Sequence, residues 1–193
     1  MKKNIYILFA VLMSVSCRAY KDAGLFCSRE FICDMAGTGS ISTKTSLGPG
    51  NAIIWDNDDR IKVFPENDAT GTVFSDVTLE NEGRRAVFKG VTEIADTYYA
   101  IYPAGADATY NPEGKTITMN IPSEQYAVPG SFADNTNPSV ARSDGDNLYF
   151  RNIGALLAIK CPTAYASSIR LQSSDKALAI SGKAEVSLEG DIP

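Results

Sequence analysis

The feature that most constrains this chain is its punctuation. Clusters rich in Gly, Pro, Asn and Asp interrupt it so often that no long 3.6-residue apolar repeat can develop. They include Gly48-Pro49-Gly50, Asn57-Asp58-Asp59, Pro65-Glu66-Asn67-Asp68, Glu82-Gly83, Pro112-Glu113-Gly114, Val128-Pro129-Gly130 and Asp144-Gly145-Asp146. Such residues supply positive φ, a fixed φ, or side-chain bonds that reverse the backbone. The runs between them repeat every two residues. Residues 60–64 (RIKVF) alternate before Pro65, and residues 115–122 (KTITMNIP) place Ile117, Met119 and Ile121 on one face. Ile169 with Leu171, and Ala184, Val186 and Leu188, keep the same period. Residues 52–55, 97–102 and 155–159 are more continuously apolar and read as central strands. Short strands between frequent turns predict an all-β antiparallel sandwich.

Residues 1–16 stand apart. Lys2 and Lys3 precede nine apolar residues at 5–13 (IYILFAVLM), followed by Ser14-Val15-Ser16-Cys17. This is the pattern of an export signal. As a helix the run would rise only about 14 Å, half of a bilayer core, so it is too short to span permanently. A cysteine after a small residue and a short apolar core resembles a bacterial lipobox, with Cys17 the lipidated first residue of the mature chain. Several acyl chains on one cysteine suffice for stable anchoring. Residues 17–29 then read as a tether, and 30–193 as one domain, a length that can support its own core.

Composition narrows the chemistry. The sequence has no His, which removes Ser-His-Asp and Cys-His nucleophile pairs and His-ligated zinc. Net charge is −5 with scattered basic residues, so nucleic acid is not an expected partner. Cys27, Cys33 and Cys161 follow the signal without a CxxC spacing; buried free thiols are expected, with Cys33 and Cys161 on strands. Asp56, Asp58 and Asp59 could suggest a calcium loop, but the glycine and distant glutamate of a helical calcium loop are missing. An acidic hairpin turn between residues 53–55 and 61–64 is the expectation, and Asp144-Gly145-Asp146 reads as another hairpin. Trp55 and Tyr98, Tyr99, Tyr102, Tyr110, Tyr126 and Tyr149 read as packing residues rather than a sugar platform. Arg84-Arg85 reads as a solvated strand edge. Residues 123–142 lack alternation and form the longest irregular stretch. No catalytic residue, cofactor or metal site is expected, so the chain reads as a non-enzyme.

Several motifs occur in a fixed order: the lipobox cysteine, residues 31–36, Thr43-Lys44-Thr45, residues 54–64 (IWDNDDRIKVF), Tyr99-Ala100-Ile101-Tyr102-Pro103, residues 121–126 (IPSEQY), Gly130-Ser131-Phe132 and residues 150–157 (FRNIGALL). From about residue 30 onward this order resembles the fimbrillin-like lipoproteins, pilins and pilus-accessory proteins of anaerobic Gram-negative bacteria. The resemblance implies a transthyretin-like β-sandwich, the N-terminal domain of a lipoprotein of the outer membrane or fimbrium. It implies a structural or accessory role in fimbriae and adhesion, with other fimbrial subunits as partners through strand exchange. In pilin members an arginine-specific protease removes the N-terminal segment; Arg29 is the matching candidate here. Family members usually carry a second sandwich, which is expected to be absent or truncated in this chain. The alternative function is a monomeric surface lipoprotein that binds glycan or host ligands. A secreted hydrolase using a carboxylate pair is a weaker third reading.

Overall fold

The computed structural model describes residues 25–35, 46–47, 53–105, 107–126, 128, 131–133, 136–155, 157, 159–160, 167–175 and 177–190. The fold is all-β. Its strands are β1 (Phe26–Met35), β2 (Ser46–Leu47), β3 (Ile53–Ile54), β4 (Ile61–Pro65), β5 (Thr72–Phe74), β6 (Asp76–Glu80), β7 (Arg85–Glu93), β8 (Tyr98–Tyr102), β9 (Thr109–Asn111), β10 (Thr116–Ile121), β11 (Ser139–Ser143), β12 (Asn147–Asn152) and β13 (Gly182–Ser187).

Eight strands form one sheet in the order β5-β4-β8-β11-β12-β1-β7-β6. Its two outermost strands, β5 and β6, are separated in sequence only by Ser75. One bent segment therefore pairs with β4 at one end of the sheet and with β7 at the other, rolling it into a nearly closed, flattened barrel. Gly90 sits at the closure: a Cβ there would lie 2.6 Å from the ring of Phe74, so β7 and β5 approach as closely as a bare glycine allows.

The barrel interior is one core. Phe31 and Cys33 from β1 and Ala86 and Phe88 from β7 face Ile61, Val63, Phe74, Tyr98, Ala100, Tyr102, Ala141, Leu148 and Phe150. Trp55 closes one end, edge-on to Phe88, Tyr102 and Phe150 at 5.3–5.5 Å, with its Nε1 donating to the carbonyl of Cys33. Its backbone rests on the β6–β7 turn, where Trp55 N donates to the carbonyl of Gly83. Gly83 has φ +79°, and an added Cβ would meet the Trp55 carbonyl at 2.9 Å, so glycine is required there twice over.

A second core lies on the other face of β4, β8 and β11, where the sheet β13-β10-β9 packs. Phe64, Tyr99, Ile101, Val140, Tyr110, Ile117, Met119 and Leu188 meet there. Every residue of β8 is consequently buried: Tyr98, Ala100 and Tyr102 serve the first core, Tyr99 and Ile101 the second. That two-sided burial is why residues 97–102 read as continuously apolar. The buried phenols are partnered: Tyr98 Oη donates to the carbonyl of Glu93, Tyr102 Oη to Asp59 Oδ1 at 2.8 Å, and Tyr110 Oη to the carbonyl of Glu66.

Several expectations hold. Strands occur at 61–65, 116–121 and 182–187, with Ile117, Met119 and Leu188 buried, and Cys33 is a buried free thiol on a strand. Asp144-Gly145-Asp146 joins β11 to β12 as a hairpin. Others need correction. The large sheet is mixed rather than antiparallel, because β1 runs parallel to β12. Residues 52–55 are not a central strand: β3 forms only a two-residue ladder with β2, and Trp55 leaves it to plug the barrel. The acidic turn consequently does not join a hairpin; β3 pairs with β2, while β4 pairs with β5 and β8. The described residues of 155–159, and Ile169 with Leu171, are outside strands and exposed, so their apolar pattern does not mark strands. The described residues of 123–138 lie outside the strands of both cores, but β11 takes up the end of the stretch 123–142. β1 starts at Phe26, so residues 26–29, read as tether, are strand. Arg85 lies in β7 between β1 and β6, not at a sheet edge.

Candidate functional site

Among the described residues of the large sheet, β1 is an interior strand that keeps a long stretch open on one side, as long as the outer edge of β13 in the small sheet. Its register with β7 runs from Phe26↔Glu93 to Asp34↔Arg85. On its other side, β12 pairs only with residues 32–35, the ladder extended by one bond from Ile32 N to the carbonyl of Asp146. Residues 26–31 of β1 are thus paired with a strand on one side only among the described residues. Likewise β6 reaches β7 only as far as the pair Asp76↔Lys89. The pairs formed by residues 26–29 and 90–93 make a two-stranded ribbon running past both neighbouring strands.

Side chains hold this register. On the outer face Lys89 Nζ pairs with Glu30 at 2.9 Å, and Arg85 makes a two-pronged contact with Asp34 at 2.6 and 2.8 Å. The hydrogen bond and charge of Asp34 raise the pKa of Arg85, and Glu30 does the same for Lys89. A one-residue slip would break both pairs and turn Phe31 and Cys33 out of the core.

Arg29, the candidate processing residue, lies within this ribbon opposite Gly90. Its side chain is 23% exposed and pairs with Asp146 at 2.9 Å. Its guanidinium lies 4.5 Å from the centroid of the Tyr98 ring and 5.8 Å from that of Phe31. Arg29 therefore covers one end of the first core, as Trp55 covers the other. Cys17, the lipidation candidate, and the signal lie outside the described residues, as does Cys161. Cys27 is free and partly buried.

The acidic turn is structural. Asp59 N donates to the carbonyl of Asp56, while Asp59 Oδ2 accepts the Asp56 N–H and Asp59 Oδ1 accepts the Tyr102 hydroxyl. Asp59 is 2% exposed, which aims it into the fold rather than toward solvent. Among the described residues no group of three Cys, Asp or Glu side chains could hold a metal ion. Trp55, Tyr98, Tyr99, Tyr102 and Tyr110 are buried packing residues as expected, whereas Tyr126 and Tyr149, expected to pack as well, are exposed. A cleft of about 530 Å³ beside the second core is lined by Arg60, Ile101, Pro103, Met119, Pro122 and Pro138, with Asp58 and Asp107 among its other walls. No described aromatic ring lines it, so it offers no stacking surface for a sugar. The sequence reading missed the open edge of β1 because edges depend on which strands become neighbours. The Asp59–Tyr102 tie was missed for the same reason, since 43 residues separate its partners.

Among the described residues no helix is long and apolar enough to cross a membrane. No family model, curated protein or solved structure matches the chain.

Proposed function

We propose that this chain is a structural or accessory subunit of cell-surface fimbriae, anchored through lipid on Cys17 and assembling by β-strand addition. The observation that carries the reading is the one-sided edge of β1 over residues 26–31, in a sheet whose other ends are joined through Ser75. An incoming extended segment would continue the sheet there through backbone hydrogen bonds, with alternate side chains giving specificity. Processing after Arg29 would act on the same place. It requires residues 26–29 to peel from β7, and their release would take most of that edge away and leave residues 90–93 of β7 unpaired in its place, so that the acceptor edge passes from β1 to β7.

Mature protein purified from membranes tests this directly. Subunits joined by strand addition should run as SDS-resistant ladders that collapse on boiling. A protein that remains monomeric at high concentration and binds glycan arrays would instead support the monomeric ligand-binding alternative. Metabolic labelling with palmitate examines the anchor separately, and an unlabelled product removes Cys17 from the argument.

A further inference from the structure

We infer that the tip of the β1–β7 ribbon rests in the interface of the membrane that holds the chain, as a second, non-covalent contact beside the lipid. The inference rests on the proposed anchoring at Cys17 and concerns the form uncut at Arg29. The tip is apolar in a way its neighbours are not. Leu25, Phe26, Val91 and Ile94 are 40%, 66%, 53% and 43% exposed. They cover both faces of the tip: Ile94 N donates to the carbonyl of Leu25 at 2.9 Å, which sets that pair side by side on the face that Arg29 and Phe31 share. Phe26 is in register with Glu93 and Ser28 with Val91, making Phe26 and Val91 diagonal neighbours on the ribbon's outer face.

Position supplies the occupant. Eight peptide steps separate Cys17 from Leu25, and such a segment spans at most about 29 Å when fully extended. The tip is thus the described part of the domain joined to the anchor by the shortest path. Four residues, two on each face of the tip, are too few to hold a free protein on a bilayer, but a short tether keeps their local concentration high enough for a weak contact to persist. Glu93 shares the outer face with Phe26, and the basic groups nearest the tip are paired, Arg29 with Asp146 and Lys89 with Glu30. The expected surface is therefore a zwitterionic headgroup layer rather than an anionic one.

The test uses the full acylated chain in phosphatidylcholine vesicles, with and without brominated acyl chains that quench indole. Trp55 is buried in the barrel and gives the unquenched baseline. In Phe26→Trp, and independently in Val91→Trp, the added emission should be roughly halved by brominated lipid, as expected for a ring entering the acyl boundary. Emission from Trp55 in the wild type should not change. If the variants float with the vesicles and the acyl mass is present on Cys17, yet the added emission is unquenched, the inference is wrong while the anchor stands. If that emission instead changes with protein density, a second copy covers the tip, and the inference is equally wrong. A chain that lacks acyl mass and stays in solution overturns the anchoring reading and this inference together, and mass spectrometry separates that outcome from the others.

Discussion

Replacing Gly90 with alanine should destabilise the protein, although the local effect of the change points the other way. Alanine in a strand interior is normally favoured over glycine by roughly 0.5–1 kcal/mol, because glycine has more backbone freedom to lose on folding. Here the added methyl would lie 2.6 and 2.7 Å from two atoms of the Phe74 ring, far inside van der Waals contact. The ring has little room to retreat: Phe74 is fully buried and packs edge-on to Phe31 at 5.3 Å, and Phe31 is in turn edge-on to Tyr98 at 5.2 Å. Overpacking of this kind costs about 1–3 kcal/mol. The net loss expected for Gly90→Ala is therefore about 1 kcal/mol, within a span of about 0–2.5 kcal/mol, against a typical reserve of about 5–15 kcal/mol. Urea unfolding followed by the fluorescence of the single tryptophan, Trp55, measures it. Phe74→Leu removes the ring that obstructs the methyl, so the double variant should be more stable than the sum of the single changes requires, with a coupling of about 0.5–3 kcal/mol. A Gly90→Ala protein more stable than wild type by the roughly 0.5–1 kcal/mol of an unhindered strand position, or additive behaviour in the double variant, would refute the claim that β5 and β7 meet at this contact.

Three further outcomes follow from particular residues. Tyr102→Phe should cost about 1.5–3 kcal/mol in chemical denaturation, because the buried Asp59 carboxylate loses a charge-assisted donor while keeping the Asp56 N–H; a neutral result would show that Asp59 is hydrated. Burial, with the Tyr99 phenol beside it, pushes the Tyr110 phenol above its ordinary value. A raised pKa means that the folded state holds this proton more tightly, so its contribution is complete below about pH 10 and is lost as pH climbs above that. Unfolding followed across alkaline pH should show stability falling there, and Tyr110→Phe should flatten the dependence; an unchanged slope would place the alkaline sensitivity elsewhere. In native protein a maleimide should label the partly buried Cys27, whereas Cys33, fully buried, should react only on unfolding; peptide mapping of a natively labelled Cys33 would contradict the packing of β1.

Some elements are legible in sequence because local chemistry decides them. Residues 61–64 and 116–121 alternate because one face meets a core, and Asp144-Gly145-Asp146 turns because its residues favour a turn. The same two-residue period at Ile169 and Leu171 is misleading, since a strand also needs a neighbour with an unpaired edge, and periodicity says nothing about neighbours. The sequence offers Arg29 as an arginine at the end of a tether, whereas the structure sets it within the first strand, over Tyr98 and against Asp146. Neither partner is near it in sequence, so no spacing could have announced the contact.

The amino-acid sequence alone determines that this chain is built from short strands and frequent turns, that it lacks imidazole chemistry, and that two lysines and a nine-residue apolar run precede Cys17. Side-chain period, backbone preference and residue type are local properties, and each can be read along the chain. Tertiary structure decides that β1 runs parallel to β12, that the sheet closes through Ser75, and that residues 26–31 are left with one strand partner. Those outcomes arise from hydrogen bonding and packing between residues far apart in sequence, where the free edge exists only after every other strand has found its place.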